Sequence, residues 1–351
     1  MVKVLSVEML KNIIQKHGIN QFIRNLISYI KADFSKWDSF HKTPRSAAHV
    51  PGGVIELMPI NNDQLYSYKY VNGHPKNPES RKQTVIATGQ LSRVKDGYPV
   101  MISEMTVLTA LRTAATSALA SDLLSRKDSI TLGLIGTGAQ SEFQVLAHKL
   151  IRDFQHINYY DIDENAMSKF KHNMQNYGID TTQMDSAKCV AESSDVLIIC
   201  TACKKHVDVI KQEWIRPGTH INGLGGDCPG KTEIDKKLLP NSKVIVEFFE
   251  QSFIEGEIQR FDKKTAKNIV HAELWEIINS HKQSRINNTE ITIFDSVGFA
   301  IEDFSALRLT YDLACQYAIG KDINMIPPIS DPKNLISILE HNKIKGIKVI
   351  A

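Results

Sequence analysis

Residues 134–143 read LIGTGAQSEF, and this stretch decides the fold of one half of the chain. An apolar run precedes Gly136 and Gly138, and a helix-forming sequence follows them. Glycines at a strand-to-helix turn let the backbone approach a pyrophosphate, whose charge is favoured by the amide groups at the helix N-terminus. Ser141 replaces a third glycine, so we expect the helix to sit slightly farther from the strand. The stretch predicts a dinucleotide-binding turn.

An acidic residue supports this interpretation over the alternative of a generic strand-to-helix turn. Asp161 ends the next predicted strand, which reads INYYD. A carboxylate at this place accepts hydrogen bonds from the hydroxyl groups of the adenosine ribose. The same charge repels the 2'-phosphate of NADP, so the sequence predicts NAD as the cofactor.

From residue 131 onward, short apolar runs alternate with amphipathic helical stretches. Continuous apolar strands separated by helices predict a parallel sheet that is covered on both faces. One of the predicted helices is TEIDKKLL, residues 232–239, with Thr232 as its N-cap. Cys200 and Cys203 form a CxxC pair at the end of the apolar run VLIIC, where strand-end packing is favoured over redox chemistry.

The first part of the chain has a different pattern. Helical stretches at about 6–17 and 20–36 precede five alternating segments, which are separated by turn signals such as Asn72-Gly73 and Asp96-Gly97. This pattern predicts a mostly antiparallel sheet with helices on one side. A long helical stretch, TVLTALRTAATSALASDLL, then leads to the first parallel strand.

The composition limits the classes of protein to consider. The chain has 351 residues, of which 42% are hydrophobic and 23% charged, and its formal net charge is +3. These values lack the basic excess of a nucleic-acid binder, and no run approaches the roughly 18 apolar residues of a membrane span. We expect a cytoplasmic enzyme with no nucleic-acid or membrane partner. The five cysteines do not predict a disulfide framework, and the twelve histidines show no metal-ligand spacing.

The segment HINGLGGDCPGK, residues 220–231, contains the first candidate for a general acid or base, Asp227. Carboxyl ends of parallel strands face the ligand crevice, which places Asp227 on the nicotinamide side. The alternative is that Asp227 caps the following helix, but Thr232 is better placed for that role. Ser296 and Val297 end another predicted strand and are candidates for the nicotinamide pocket.

Charged residues interrupt apolar segments in the first part of the chain. If VIELMP and LYSYKYV form a hairpin around Asn61, Glu56 and Lys69 become near-diagonal neighbours on one face. A minor surface salt bridge and a functional pair are both open at this point. Arg45 adds a further guanidinium. Arg112 lies in an apolar context that requires an anion, which is a substrate carboxylate, a cofactor phosphate or a structural ion-pair partner.

Together these motifs resemble the ornithine cyclodeaminase/mu-crystallin family over nearly the whole chain. The resemblance rests on RSAAHV, VIELMP, YKYVNGHP, GYPV, TALRTAATS, GTGAQSEFQ, GGDCPGKTE, IEGEIQ and FDSVGFAIED. It implies an α/β fold in which a Rossmann-type doubly wound parallel-sheet NAD domain covers residues 116–318. An α+β substrate-binding and dimerisation domain, which forms a homodimer, would contain residues 1–115 with 319–351.

The resemblance also implies an activity, the NAD-dependent conversion of L-ornithine to L-proline and ammonia. The residues implied for holding the substrate carboxylate are Arg45, Lys69 and Arg112. Asp227 is similar to the family's catalytic acid/base and contacts substrate, Glu56 lines the pocket together with Lys69, and Val297 touches substrate. Contacts with NAD are implied for Thr84, Arg112, Gly136, Gly138, Ala139, Gln140, Asp161, Thr201, Leu224, Gly225, Gly226, Asp227, Lys231 and Ser296.

Several related functions stay open from the sequence. They are a lysine cyclodeaminase, a ketimine reductase that performs only the last hydride step, and a non-catalytic mu-crystallin-like protein that binds NAD(P)H and a ligand. An alanine dehydrogenase is disfavoured, because the methyl group of alanine would leave the charges of Glu56 and Asp227 unpaired. A diamino acid provides a cationic end for these carboxylates.

Overall fold

The computed structural model describes residues 1–202, 206–226 and 228–340. Their strands, numbered along the chain, are β1 (Val2–Leu5), β2 (His41–Lys42), β3 (Ser46–Val50), β4 (Gly53–Asn61), β5 (Leu65–Gly73), β6 (Val85–Arg93), β7 (Pro99–Glu104), β8 (Thr131–Ile135), β9 (His156–Tyr160), β10 (Thr182–Gln183), β11 (Val196–Ile199), β12 (His206–Ile210), β13 (His220–Gly223), β14 (Thr232–Ile234), β15 (Lys243–Val246), β16 (Val270–Glu273), β17 (Thr292–Asp295) and β18 (Lys321–Ile323). The helices are α1 (Val7–His17), α2 (Ile19–Phe34), α3 (Thr106–Leu124), α4 (Ser141–Ile151), α5 (Glu164–Asn176), α6 (Ala187–Ser193), α7 (Phe249–Glu255), α8 (Lys263–Ile269), α9 (Leu274–Ile278), α10 (Ala300–Tyr317) and α11 (Ser337–Glu340).

The second half of the chain forms a parallel sheet in the order β10-β9-β8-β11-β13-β17-β15-β16. All neighbouring strands in it run parallel, and β11, β13, β15 and β17 are buried along their whole length. The winding direction reverses between β8 and β11, which opens a crevice at the carboxyl ends of these strands. The predicted doubly wound α/β fold is confirmed.

The predicted helix TEIDKKLL is wrong. Its first residues form strand β14, which pairs in parallel with β12. The physical reason is tertiary: the buried Glu257 carboxylate accepts the amide protons of Glu233 and Ile234 at 2.7 and 3.1 Å. Thr232 is therefore no N-cap, and its hydroxyl bonds instead with Nδ1 of His206 at 3.0 Å.

The first half forms a second sheet in the order β18-β1-β7-β6-β5-β4-β2, with β3 also paired to β4. Every pairing in this sheet is antiparallel except that of β1 with β7. Helices α1, α2, α3 and α10 contribute to the same apolar core as the inner face of the sheet. The predicted antiparallel sheet with helices on one side is confirmed, and the second predicted helix ends at Phe34.

Two long helices cross between the sheets. Helix α3 leads from β7 to β8, and α10 follows β17 and packs on α2 and on strands β4, β5 and β6. Both helices therefore place side chains between the two halves of the chain. The domain boundaries given above stay a prediction, and residues 341–351 lie outside the described residues. No helix in the described part of the chain has the length and apolar character needed to cross a membrane.

Candidate active site

The glycine turn, residues 136–141, joins β8 to α4 at the point where the winding reverses. Gly136 has φ +99°, and a Cβ atom there would lie 2.7 Å from the carbonyl oxygen of Cys200. Only glycine fits this left-handed conformation and close approach. A Cβ atom on Gly138 would meet no atom within 4 Å, so the space beside the turn is open. Burial raises the pKa of the Cys200 thiol, which donates to the Gly136 carbonyl.

Asp161 fixes the conformation of this turn. Its Oδ2 atom accepts from the amide of Thr137 at 2.6 Å and from the Thr137 hydroxyl at 3.1 Å. Ser141 is buried and its hydroxyl donates to the Gly138 carbonyl at 2.8 Å, so the serine closes the turn with a hydrogen bond. Oε1 of Gln140 is buried and has no hydrogen-bond partner among the described residues.

Seven charged side chains gather between the two halves of the chain and form what we call the buried charge cluster. They come from the β2–β3 connection, β4, β5, α3, α7 and α10, and all are nearly inaccessible to solvent. The cluster consists of Arg45, Glu56, Lys69, Arg112, Glu255, Glu302 and Asp303.

Asp303 connects two of the cations. Its Oδ1 atom lies 2.9 Å from Nζ of Lys69 and 3.0 Å from Nε of Arg112. Arg112 also contacts the Glu302 carboxylate, with a distance of 2.6 Å from Nη1 to Oε2. Burial and the neighbouring charge of Arg112 lower the pKa of Lys69 to about 8, against the opposing effect of Asp303. The anion that the apolar context of Arg112 requires is therefore present as a structural ion pair.

Arg45 links the first sheet to the β17–α10 connection. Its Nη1 lies 3.1 Å from Glu56, and its Nε lies 3.1 Å from Glu255. Its Nη2 donates to the carbonyl oxygens of Val297 at 2.6 Å and Gly298 at 2.7 Å. One guanidinium thus contacts two carboxylates and two carbonyl groups across the crevice.

Glu56 and Lys69 lie as the hairpin prediction states. In the β4–β5 register Met58 opposes Lys69 and Glu56 opposes Val71, so Glu56 and Lys69 are diagonal neighbours on one face. The alternative of a solvated face is wrong, because Glu56 is 7% exposed and Lys69 1%. The two charges do not form an ion pair with each other in the described contacts; they contact Arg45 and Asp303 instead.

Glu247, which follows β15, holds the β17–α10 connection in place. Its carboxylate accepts from the Ser296 hydroxyl at 2.6 Å and from the amides of Val297 and Gly298 at 3.1 Å each. Burial and the nearby charge of Glu302 raise the pKa of Glu247 to about 8. Ser296 and Val297, both predicted site residues, are therefore fixed at the carboxyl end of β17.

The glycine loop, residues 224–231, follows β13, and Asp227 within it lies outside the described residues. The Thr201 hydroxyl donates to Glu233, and Nζ of Lys231 donates to the Thr201 carbonyl at 3.3 Å. A Cβ atom on Gly225 would overlap the Glu233 side chain. Thr201, Lys231 and Gly225 are thus brought together at the ends of β11 and β13. Leu224 donates its amide to Ile199 on the neighbouring strand.

Two further predicted cofactor residues are Thr84 and Ala139. Thr84 precedes β6 in the first sheet, where its carbonyl accepts from the amide of His74 at 2.8 Å. Ala139 lies in the glycine turn before α4. Their contacts with NAD stay predictions.

Sequence reasoning missed the carboxylates Glu247, Glu255, Glu302 and Asp303. A signal for three of them was available, because the motifs IEGEIQ and FDSVGFAIED contain Glu255, Glu302 and Asp303. Two buried cations also require buried anions. In the part of the chain that the structure describes, no group of histidine, cysteine, aspartate and glutamate side chains could hold a metal ion.

The fold and the site define a class: two-sheet α/β proteins with a dinucleotide-type glycine turn beside a buried, charged crevice. The model of the ornithine cyclodeaminase/mu-crystallin family matches residues 7–317, and the chain belongs to this family. Ornithine cyclodeaminase of Agrobacterium fabrum strain C58 is 46% identical over 338 residues, which are 96% of this chain and 94% of that protein.

Two solved structures extend the comparison. A lysine cyclodeaminase, described in a study of L-lysine, L-ornithine and L-2,4-diaminobutyric acid recognition, has a TM-score of 0.88 and 28% identity, covering 95% of this chain and 99% of that one. An archaeal alanine dehydrogenase dimer with bound NAD has a TM-score of 0.85 and 31% identity, covering 93% of this chain and 99% of that one.

Proposed function

We propose that this chain is an NAD-dependent ornithine cyclodeaminase, which converts L-ornithine to L-proline and ammonia. The observation that carries the proposal is the buried charge cluster, in which four carboxylates and three cations face the crevice at the carboxyl edge of the parallel sheet. This formal excess of negative charge complements a diamino acid, which is a cation at neutral pH. The name and identity of the Agrobacterium fabrum relative support the same activity.

The glycine turn fits NAD. NAD, when bound, supplies hydride chemistry at C2 of the amino acid and ends the cycle in its starting oxidation state. The open space beside Gly138 and the amide groups at the start of α4 suit a pyrophosphate. Asp161 suits an unmodified ribose and repels a 2'-phosphate. The archaeal alanine dehydrogenase structure contains bound NAD, in line with this fit.

The cations of the cluster orient the substrate. Lys69 and Arg112 share one oxygen of Asp303, and Arg45 is held by Glu56, so each cation has a fixed position before substrate arrives. Fixed cations hold the substrate carboxylate in one orientation, which converts the encounter into an effectively intramolecular step. Glu56 would contact the cationic end of the substrate.

Asp227 moves the protons. The δ-ammonium group of ornithine cannot attack C2 until it has lost a proton, and Asp227 would accept that proton and later return one to the departing ammonia. The alternative role of Asp227 as an N-cap required a helix after the glycine loop, but that segment is strand β14. Among residues 228–248 the structure describes no α-helix for it to cap.

We also propose that a second copy covers the outer face of the first sheet. This face exposes Leu57, Tyr70 and Ile86, which are 40%, 41% and 44% exposed. Exposed apolar side chains on neighbouring strands are typical of an interaction surface. The archaeal alanine dehydrogenase structure is described as a dimer. Leu57→Asp is expected to give a monomer in analytical ultracentrifugation.

The test of the activity is incubation with catalytic NAD and either L-ornithine or L-lysine, followed by assays for ammonia and for the cyclic amino acid. We expect ammonia and proline from ornithine. The second candidate is a lysine cyclodeaminase, which the match to that solved structure favours, and it predicts a higher kcat/KM for lysine than for ornithine. A ketimine reductase would release no ammonia from either diamino acid. Tight ligand binding without turnover would indicate a non-catalytic protein.

A further inference from the structure

In the motif IEGEIQ, residues 254–259, Glu255 belongs to the buried charge cluster, whereas Glu257 and Gln259 have no role in the mechanism so far. Glu255 contacts Arg45 at 3.1 Å. Glu257 and Gln259 lie in the 3₁₀ segment Glu257–Arg260. Gln259 accepts from the amide of Gly230 within the glycine loop, and Glu257 accepts from the amide of Glu233 just after it. The motif therefore lies between the buried charge cluster and the loop that carries Asp227.

This segment is attached firmly to the parallel sheet. Asp295, the last residue of β17, accepts from the amides of Glu257 at 2.9 Å and Ile258 at 3.2 Å. A Cβ atom on Gly256 would lie 2.6 Å from Oδ2 of Asp295, so glycine is required for this approach. The motif thus has a fixed base from which its side chains extend.

Glu257 packs against the two flanks of the glycine loop. Its carboxylate accepts from the amides of Glu233 and Ile234 just after the loop. A Cβ atom on Gly226, directly before Asp227 in the sequence, would lie 2.8 Å from Oε1 of Glu257. The entry to the loop is therefore fixed by close packing.

Gln259 holds the exit of the loop. Its Oε1 accepts from the amide of Gly230 at 2.7 Å. Its Nε2, which has two N–H groups, lies within hydrogen-bond distance of four carbonyls: those of Lys231 at 3.0 Å and Cys228 at 3.3 Å in the loop, and those of Glu255 at 2.8 Å and Gly256 at 2.9 Å in its own segment. One side-chain amide thus contacts three backbone groups within residues 228–231.

We infer that Gln259 is a positioning residue for the glycine loop, an inference that rests on the proposed function. It restrains the backbone of residues 228–231, which directly follow the proposed general acid/base Asp227 in the sequence. The loop contains Gly225, Gly226 and Gly230, and glycines give a chain little conformational preference of its own. A general base must lie within hydrogen-bond reach of the proton it takes, and a displacement of 1 Å can cost about 100-fold in rate. The Gln259 amide supplies the restraint that the loop sequence lacks.

The test replaces Gln259 by leucine, which keeps the size of the side chain and removes its hydrogen bonds. We expect kcat for ornithine to fall by about 10- to 100-fold, while KM and the Kd for NAD change by less than about threefold. Hydrogen exchange at the Gly230 amide should become faster. Gln212→Leu, in the 3₁₀ segment Gln212–Trp214 of the same half of the chain, is the matched control and should keep full turnover.

Two further variants decide the interpretation. Gln259→Glu keeps an acceptor for the Gly230 amide but loses the donors, so its kcat should lie between those of wild type and Gln259→Leu. This variant replaces Gln259→Leu in the test if the leucine variant does not fold. In an Asp227→Asn background, Gln259→Leu should lower the residual rate by less than about twofold. If Gln259→Leu lowers the rate by the same factor in the Asp227→Asn background as in wild type, the positioning role is overturned. It is also overturned if Gln259→Leu lowers kcat, NAD affinity and thermal stability together.

The two proposals fail in different ways. If Asp227→Asn abolishes turnover but Gln259→Leu keeps it, the positioning role is wrong and the proposed mechanism stands. If Asp227→Asn keeps wild-type turnover, the acid/base role is wrong, and the positioning role is overturned with it.

Discussion

The glycine turn and the buried charge cluster lie at the same edge of the parallel sheet, but they are built in opposite ways. The turn is one contiguous stretch, residues 136–141, whose shape depends on backbone conformation and on one carboxylate, Asp161. The cluster takes seven side chains from six separate elements and depends on burial and ion pairing. The comparison teaches that the proposed pyrophosphate turn is a largely local structure, whereas the proposed substrate site is assembled only by the whole fold.

The largest effect should come from Asp227→Asn, which separates the two regions functionally. Asparagine cannot accept the proton of the δ-ammonium group, so proline formation should fall by about 10³-fold or more, within the range of general acid–base catalysis. The Kd for NAD, measured by fluorescence titration, should change by less than about threefold, because the glycine turn is untouched and asparagine keeps the size of the side chain at residue 227. Wild-type turnover in this variant would remove Asp227 from the mechanism.

Arg112→Leu tests how strongly the cluster depends on charge compensation. It leaves the buried carboxylates of Glu302 and Asp303 without one cation. The free energy of unfolding should fall by about 3–5 kcal/mol, as expected when one partner of a buried ion pair is removed. Urea denaturation at neutral pH measures the loss. Arg93→Leu breaks the exposed pair with Asp96 and is the control that should change stability little. Equal losses in both variants would contradict the account.

Gly136→Ala and Gly138→Ala test the two glycines of the glycine turn separately. Alanine at 136 is forced into a left-handed conformation against the Cys200 carbonyl, which should cost about 1–3 kcal/mol of stability. Alanine at 138 meets open space in the protein, so stability should stay close to that of wild type while NAD binding weakens. Thermal denaturation with and without NAD distinguishes the two effects. A stability loss at 138 as large as that at 136 would argue against the open space.

The smallest effect concerns pH and Lys69. Burial lowers the pKa of Lys69 to about 8, so the ammonium form is present below that pH and is lost as pH rises through it. The positive charge that attracts the substrate carboxylate is then lost, and KM for ornithine should rise by about tenfold per pH unit above 8. In Lys69→Arg the guanidinium stays charged and this rise should be absent. If KM rises equally in wild type and Lys69→Arg, the rise comes from titration of the substrate amino groups, and the account of Lys69 is contradicted.

Local features of the fold could be predicted from the sequence. The alternation of apolar and polar residues placed Glu56 and Lys69 on one face of a hairpin, and the glycine turn identified the doubly wound sheet. The segment TEIDKKLL was misassigned because its pairing partner, β12, and its buried acceptor, Glu257, come from distant parts of the chain.

The partners within the candidate site were harder to predict. The apolar surroundings of Arg112 indicated a buried anion, but not that Glu302 and Asp303 on α10 would supply it. Glu247 carries no local signal at all, since its function is to accept the amides of a connection about fifty residues later in the chain. Such contacts depend on topology, which sequence spacing does not report.

The most direct test of the central claim is the balance between product and reduced cofactor. The protein is incubated with excess L-ornithine and a much smaller amount of NAD, while proline, ammonia and NADH are followed together. The account predicts that proline and ammonia form in equal amounts, many times the amount of NAD, with no net accumulation of NADH. Accumulation of NADH in step with the product would show a net oxidation and would contradict it.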